Sequence, residues 1–271
     1  MNIFKGLFSR RSASARPAED NTDPADVDAV ASIRDTDADW EEIGRTNPYF
    51  GVLAAPRYMT ENLTDDVRAE FFQTGMHDVQ ALSKRLHARY PDFAPASALD
   101  FGCGVGRVTR ALAAFTGDAF GVDVSEAMLA EARRNVVPGA AFGHEMPDRL
   151  FDWVVSVIVF QHIPPSRGYV LLRDLMARVA PGGFVSIQFS LYRDEALAFA
   201  PGGRILMSDG LPVIADDAAL RSLPKGEMVM FDYDLTVIAA IMFSAGVVDF
   251  EVTHTDHGGF HGATLYGRKS L

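Results

Sequence analysis

Residues 99–107 read Leu99-Asp100-Phe101-Gly102-Cys103-Gly104-Val105-Gly106-Arg107, and this stretch decides the fold. A short apolar run ends in an acidic residue, a glycine-rich turn follows, and a helical pattern begins directly after the turn. Glycine lets a backbone approach a ligand closely and adopt a positive φ, and the free N–H groups of a helix start attract a negative group. A glycine pattern alone is weak evidence, but this strand–turn–helix context makes it meaningful.

Strands and helices alternate on both sides of this turn. The candidate strands cover residues 96–100, 119–123, 140–143, 151–157 and 184–189, and the candidate helices between them cover residues 108–115, 126–135 and 168–179. This alternation predicts a parallel sheet with helices on both faces. A last helix at 235–245 precedes strands at 247–254 and 262–267, and the joining residues 255–259 contain two glycines, which suits an antiparallel hairpin.

A second acidic residue, Asp123, ends the second candidate strand within Gly121-Val122-Asp123-Val124-Ser125. In a doubly wound sheet, an acid at this place accepts hydrogen bonds from both ribose hydroxyls of a nucleotide-like ligand. The alternative is an aspartate that caps the following helix. Because Ser125 already suits the capping position, we favour ribose binding.

Together these stretches resemble the class I S-adenosylmethionine-dependent methyltransferases. The similarity lies in residues 100–107, 121–129, 151–156 and 181–183, and it covers residues 97–189 and the terminal hairpin. It implies an α/β fold with a Rossmann-like, doubly wound, mostly parallel seven-stranded sheet in the order 3-2-1-4-5-7-6, closed by an antiparallel C-terminal hairpin. It also implies S-adenosylmethionine as cofactor and methyl transfer to a small-molecule acceptor as activity.

The resemblance further implies a cofactor site at the ends of four strands. The glycine turn would lie against the methionine portion of the cofactor, the ribose at the end of the second strand, the adenine beside the second and third strands, and the sulfonium after the fourth. The residues so assigned are, in that order, Asp100, Phe101, Gly102, Cys103 and Gly104; Asp123; Val124, Met128, His144 and Glu145; and Ser156, Val157 and Ile158. Asp100 would orient either the turn or the ammonium group.

The link between the third and fourth strands departs from the usual pattern. In the implied sheet order it must cross three strand spacings, about 14 Å, with only residues 143–150 available. A chain of this length reaches at most about 28 Å when extended. We therefore expect a link without a crossover helix.

Histidines supply the candidate catalytic group. His162 follows the fourth strand, near the expected point of methyl transfer, and would bind substrate or take its proton; the alternative is a packed histidine hydrogen-bonded to backbone. His254, His257 and His261 cluster on the hairpin, but no cysteine or further motif accompanies them, so no metal site is predicted. We interpret Cys103, the single cysteine, as a small spacer in the turn rather than a nucleophile.

Three segments are expected in the 271 residues. Residues 1–39 are rich in Ala, Ser, Pro and Asp and are predicted to be disordered. Residues 40–95 would form an N-terminal helical cap, with one helix at 64–90, and residues 96–271 the methyltransferase domain. The aromatic side chains of Trp40 and residues 47–50 either close over the cofactor or pack against the first helix.

Residues 190–233 form an insertion that is too long for an ordinary connection. It starts at the sheet edge where ligands bind, so we hypothesise a lid that covers the acceptor and sets specificity. Arg193, Arg204 and Arg221 in this segment could hold an acidic group. An arm that forms oligomers is the alternative.

The formal net charge of −11 disfavours nucleic acid as a partner. No apolar stretch approaches the roughly 20 residues that span a bilayer, and a single cysteine forms no internal disulfide, so a cytoplasmic location is expected. The oligomeric state is not determined by the sequence.

Two other functions use similar folds. An NAD(P)-dependent oxidoreductase would carry G-x-G-x-x-G, whereas this turn reads G-x-G-x-G and no Tyr-x-x-x-Lys pair follows. A non-catalytic binding or scaffold protein with the S-adenosylmethionine fold is not separated from an enzyme by fold alone.

Overall fold

The computed structural model describes residues 34–194 and 224–271, together with the backbone of residues 205–208 and 211–214. The helices are α1 (Thr36–Thr46), α2 (Pro48–Val52), α3 (Asp65–Arg89), α4 (Arg107–Thr116), α5 (Glu126–Arg134), α6 (Pro165–Arg178) and α7 (Leu235–Ser244). The strands are β1 (Ala98–Phe101), β2 (Ala119–Val122), β3 (Ala140–Gly143), β4 (Phe151–Ser156), β5 (Val179–Arg193), β6 (Ile205–Ser208), β7 (Leu211–Ile214), β8 (Met228–Met230), β9 (Asp249–Asp256) and β10 (Phe260–Arg268). None of the described helices is long and apolar enough to cross a membrane.

Seven strands form one sheet in the order β3-β2-β1-β4-β5-β10-β9. The pairs among β1 to β5 are parallel, whereas β10 runs antiparallel to both β5 and β9. The predicted α/β fold and strand order are therefore confirmed. The strand order reverses beside β1, and ligands of such sheets bind at the carboxyl ends of the strands near this point.

Strand boundaries near the sheet edge differ from the prediction. β5 is longer than residues 184–189, because residues 179–183 join it through an irregular pairing with β4. On the hairpin, β9 ends at Asp256 and β10 begins at Phe260, so the turn comprises residues 257–259 rather than 255–259. Gly258 and Gly259 have φ values of +69° and +92° and supply the reversal. The link from β3 to β4 contains no helix, as expected from its length.

The sheet is covered by apolar side chains on both faces. Phe151 and Val154 of β4 belong to the cluster that α6 and α7 complete. Trp153 and Val155 belong to the cluster on the other face, which α3 and α4 complete. All four side chains are buried, which explains why this strand reads as a continuous apolar run.

Ordered structure begins before Trp40, which corrects the predicted boundary of the N-terminal tail. Helix α1 starts at Thr36, because the carboxylate of Asp35 accepts hydrogen bonds from the N–H groups of Asp37 and Ala38 at 3.1 Å each. Such a cap satisfies donors that a helix start leaves free. Residues 1–33, for which disorder was predicted, lie outside the described residues.

A buried carboxylate connects α1 to the segment before β8. Asp39 is 3% exposed, and its two oxygens accept hydrogen bonds from Arg34 at 2.6 and 2.7 Å. The N–H of Gly226 donates to the same carboxylate at 3.0 Å. The start of α1 and the end of the insertion are therefore held together.

Within the insertion, β6 pairs antiparallel with β7 and with β8, forming a small sheet in the order β7-β6-β8. β5 continues to Arg193, so its last residues belong to the main sheet rather than to the insertion. The side chain of Arg193 is buried and forms an ion pair with Asp232 at 3.0 Å. Arg204 and Arg221 lie outside the residues whose side chains are described.

Candidate functional site

The glycine turn between β1 and α4 lies at the carboxyl end of the sheet. Gly102, Gly104 and Gly106 all have positive φ, at +74°, +52° and +82°. An ideal Cβ on Gly104 would lie 2.6 Å from Cγ2 of Val52. The turn therefore requires glycine for its conformation and for the close approach of α2.

A cavity of about 750 Å³ opens beside this turn. Its walls come from the turn, the ends of β2 and β4, the link after β3, and helices α1, α2 and α6. Most of the residues assigned to the cofactor by resemblance line it, namely Phe101, Gly102, Gly104, Asp123, Val124, Met128, His144, Glu145, Val157 and Ile158.

Three assigned residues do not line the cavity. The carboxyl group of Asp100 accepts a hydrogen bond from Oγ1 of Thr109 at 2.6 Å, and burial raises its pKa to about 6. Cys103 is 4% exposed, and burial raises the pKa of its thiol. Oγ of Ser156 donates to the carbonyl of Phe101 at 3.1 Å. These side chains hold the turn from beneath, because their polar groups are turned into the protein.

Asp123 lines the cavity at the end of β2. One carboxylate oxygen accepts the N–H of Gly104 at 2.8 Å and the other accepts the N–H of Ser125 at 2.9 Å. Burial raises the pKa of Asp123, and these two N–H donors oppose the shift. Asp123 therefore joins the turn to α5, and since a carboxylate oxygen can accept two hydrogen bonds, it retains acceptor capacity for a ligand.

Helices α1 and α2 form part of the cavity wall, a role that the sequence did not decide for their aromatic residues. Trp40 lines the cavity, and its ring meets the ring of His162 edge-on with centroids 4.9 Å apart. Tyr49 instead packs inside the protein, where its hydroxyl donates to Glu131 at 2.8 Å. Glu41 accepts hydrogen bonds from Oγ of Ser125 and the N–H of Ala127, which attaches α1 to the start of α5.

Arg107 is a cavity residue that sequence reasoning missed. It starts α4, lines the cavity and is 2% exposed. Its Nη1 donates to Asp78 at 2.5 Å and to Thr74 at 3.1 Å, both on α3. Its Nε is buried and has no hydrogen-bond partner among the described residues. Leaving such a donor unsatisfied costs about 1–3 kcal/mol.

A smaller cavity of about 320 Å³ adjoins the first. Gly51, Val52, Ile158 and His162 line both cavities. The remaining walls of the smaller cavity come from α2 and the residues after it, β5, β8 and the β9–β10 hairpin. The two cavities therefore meet at the carboxyl end of β4.

Backbone strain marks this junction. Ile158 has a φ of +62°, which is a genuine outlier for a β-branched residue. Its N–H donates to Oε1 of Gln188 at 3.1 Å, and Nε2 of Gln188 lies 2.7 Å from Nε2 of His257. Strain of this kind persists only where the surroundings hold it, and it clusters at functional sites.

His162 has the geometry of a packed histidine, although it lines both cavities. Its Nδ1 lies 3.2 Å from the carbonyl oxygen of Val229, which assigns the proton to Nδ1. Its Nε2 then accepts from Nε2 of Gln161 at 3.1 Å. Burial lowers the pKa of His162 to about 4. The imidazole is therefore neutral near pH 7, and a role as proton acceptor stays a prediction.

The lowered pKa of His162 predicts a loss of stability in acid. The unfolded state takes up the proton near pH 6.5 and the folded state only near pH 4, so stability falls as the pH drops through this range. Between pH 7 and pH 5 we expect the advantage of the wild type over His162→Gln to shrink by about 2 kcal/mol. Urea unfolding at both pH values measures it.

The comparison with the variant is needed because Asp100 acts in the opposite direction. Its raised pKa stabilises the folded state as the pH falls through about 6, so the wild-type curve alone does not isolate His162. His77→Gln, which replaces an exposed histidine on α3, controls for the substitution. Parallel losses in the wild type and His162→Gln would contradict the prediction.

Two of the three hairpin histidines, His254 and His261, stack with Tyr192. Ring centroids of Tyr192 and His261 are 4.8 Å apart, and those of His254 and His261 are 5.3 Å apart. Within residues 34–194 and 224–271, no group of three or more His, Cys, Asp or Glu side chains is arranged to hold a metal ion.

A family model described as "Methyltransferase domain" matches residues 98–183. The chain is 34% identical over 164 residues to a trans-aconitate 2-methyltransferase of Methylobacterium nodulans, covering 57% of this chain and 60% of the relative. It is 26% identical over 162 residues to a ubiquinone biosynthesis O-methyltransferase of Methylococcus capsulatus, covering 56% of this chain and 62% of the relative. The matched part of the chain thus spans about three fifths of the length of these relatives.

Among solved structures, the chain is similar to the magnesium protoporphyrin IX methyltransferase of Synechocystis PCC 6803, which was crystallised with bound S-adenosylmethionine. The TM-score is 0.54 at 16% identity, covering 88% of this chain and 98% of that chain. At this identity the likeness establishes the fold.

Proposed function

We propose that this chain, which belongs to the class I S-adenosylmethionine-dependent methyltransferases, binds S-adenosylmethionine in the larger cavity and transfers its methyl group to a small molecule. The observation that carries the proposal is the larger cavity at the glycine turn, which is lined by the carboxylate residue Asp123 and by Arg107. We also propose a cytoplasmic location and no nucleic-acid partner. Both rest on the composition alone.

The residues present suit this cofactor. Asp123 would accept hydrogen bonds from the ribose, and the buried Nε of Arg107 would donate to the carboxylate of the methionine portion. Val124 and Met128 would contact the adenine, and His144 and Glu145 lie at the same end of the cavity wall, after β3. Acidic and basic side chains both line the cavity, which suits a ligand that carries both a carboxylate and an ammonium group.

When bound, the sulfonium of the cofactor supplies an activated methyl group. An acceptor atom placed in line with the sulfonium would take the methyl carbon, and the electron pair of the broken bond to carbon would stay on sulfur. Positioning supplies most of the rate in such an in-line displacement. This chain would contribute that positioning at the junction of the two cavities, where Ile158 and His162 line both.

Calorimetry with S-adenosylhomocysteine, the demethylated product, tests the proposal. We expect one molecule to bind per chain, because the product retains the ribose, adenine and carboxylate that the cavity residues contact. We expect no binding of NAD, because the turn lacks the G-x-G-x-x-G fingerprint. Binding of NAD without binding of S-adenosylhomocysteine would overturn the proposal in favour of an oxidoreductase.

In the same assay, Asp123→Ala should weaken product binding by about 1–3 kcal/mol, since it removes a charged acceptor. Asp118→Ala is the matched control, because Asp118 precedes the same strand at its opposite end and pairs there with Arg149. Unchanged affinity in Asp123→Ala would mean that the ribose is held elsewhere. Product binding with no methylation of any small molecule in an extract would favour a scaffold protein.

A further inference from the structure

We propose that the smaller cavity is the acceptor site and that it takes an uncharged, flat aromatic ring that bears a hydroxyl group. The inference rests on the function proposed above and names the chemical class of its acceptor. The smaller cavity meets the larger one at Ile158 and His162. A molecule in it therefore lies next to the place where the methyl group would be presented.

The apolar walls of the smaller cavity favour a flat ring. Met228 and Met230 of β8 line it together with Phe189 of β5 and Phe260 of β10. Methionine sulfur makes favourable contacts with aromatic rings, and aromatic side chains pack against one another in stacked or edge-on arrangements. The volume of about 320 Å³ lies at the lower end of the range of small-molecule pockets, about 300–1,000 Å³.

The polar groups of this cavity favour a neutral ligand. Within the described part of the chain, no Asp, Glu, Lys or Arg side chain lines it. His162 is uncharged near pH 7, because burial lowers its pKa to about 4. Ser190 at the cavity wall donates to Asp232, and Asp232 pairs with Arg193, so these two charges offset each other within the protein. Against these described walls, a charged ligand group would be removed from water without a counter-charge, which is costly.

The amide side chains favour a hydroxyl group. Gln161 and Gln188 line the cavity, and an amide offers both a donor and an acceptor to a hydroxyl. Gln188 is fixed in place, because Oε1 accepts the N–H of Ile158 and Nε2 contacts His257. A few placed polar groups among apolar walls orient a ligand, and these lie beside the junction of the two cavities.

This inference differs from the acidic acceptor considered from the sequence. Arg193, one of the arginines considered for that role, is buried and paired with Asp232. A tricarboxylate such as trans-aconitate, named in the description of one relative, would need several cationic partners. No Arg or Lys side chain is among the described walls of the smaller cavity.

Three probes that share one ring system but differ in charge test the inference. They are 2-naphthol, which is neutral, 3-hydroxy-2-naphthoate, which is an anion, and 2-naphthylmethylamine, which is a cation near pH 7. Binding of each is titrated to the full chain saturated with S-adenosylhomocysteine. We expect 2-naphthol to bind at least tenfold more tightly than either charged probe.

A charge placed in the cavity wall should change this order. Ala54 lines the smaller cavity and is exposed, so its substitution leaves the core intact. In Ala54→Arg we expect the naphthoate to bind about tenfold more tightly than in the matched uncharged variant Ala54→Gln. If both variants are folded and bind the naphthoate equally, the probe lies outside the smaller cavity and the inference is overturned.

The outcomes separate the two proposals. Failure to bind S-adenosylhomocysteine counts against the proposed function, and this is measured before any probe is added. If the product binds, then tighter or equal binding of the naphthoate or the amine, or no binding of 2-naphthol, overturns the inference about the acceptor and leaves the proposed function intact.

Discussion

Replacing Arg107 by lysine should weaken S-adenosylhomocysteine binding by about tenfold to 150-fold, the equivalent of 1.5–3 kcal/mol for a hydrogen bond to a charged group. Lysine keeps the positive charge next to Asp78, which the wild-type guanidinium contacts at 2.5 Å. It lacks the Nε–H group of Arg107, which is buried and has no hydrogen-bond partner among the described residues. The loss therefore reports the contact with the ligand rather than the ion pair with α3.

A second ligand identifies the group that Arg107 recognises. Decarboxylated S-adenosylhomocysteine retains the adenosine and the amine but lacks the carboxylate. The wild type should prefer the carboxylate form by about tenfold or more, and Arg107→Lys should lose most of this preference, because the two changes remove the same interaction. Full preference in Arg107→Lys would show that another residue binds the carboxylate. Calorimetry with both ligands completes the cycle.

Gly75→Ala should destabilise the protein by about 3 kcal/mol through overpacking. Gly75 lies in α3 where α4 begins, and an added Cβ would lie 2.2 Å from the backbone carbonyl oxygen of Arg107. A backbone atom cannot rotate away, so the two helices must separate. On an exposed helix face, replacing glycine by alanine stabilises the helix by about 1 kcal/mol. The sign of the measured change in unfolding free energy therefore shows whether the contact with Arg107 or the helix propensity dominates.

Ala81→Gly in the same helix measures the propensity term alone, because Ala81 is exposed. Urea unfolding of both variants gives the free energies to compare. We also expect Gly75→Ala to lower the affinity for S-adenosylhomocysteine, since displacing α3 moves the residues that hold the guanidinium of Arg107. The opposite result for Gly75→Ala would contradict this prediction. If it raises the free energy of unfolding by as much as Ala81→Gly lowers it, the close approach of the two helices is not present in solution.

Local sequence was enough to predict the turn, the sheet and many of the residues that line the larger cavity. The turn at residues 102–106, the acid Asp123 and the apolar run 151–156 each follow from a few consecutive residues. Their conformation depends on glycine geometry, a strand end and burial on both faces. The residues assigned at strand ends therefore line the larger cavity wherever their side chains point out of the sheet. Asp100, Cys103 and Ser156 do not line it, because their side chains are turned into the protein, and the motif alone does not reveal that orientation.

Only the tertiary structure decided which distant segments complete the site. Trp40 meets His162, Arg107 meets Asp78, and both α2 and β8 reach the smaller cavity. The residues in each of these contacts are far apart along the chain, and the local sequence around one partner does not predict the other. The sequence therefore determined the carboxyl edge of the sheet through short-range propensity and burial. The surroundings of Arg107 and the walls of the smaller cavity arise instead from packing between segments, which fixes side-chain partners only when the chain is folded.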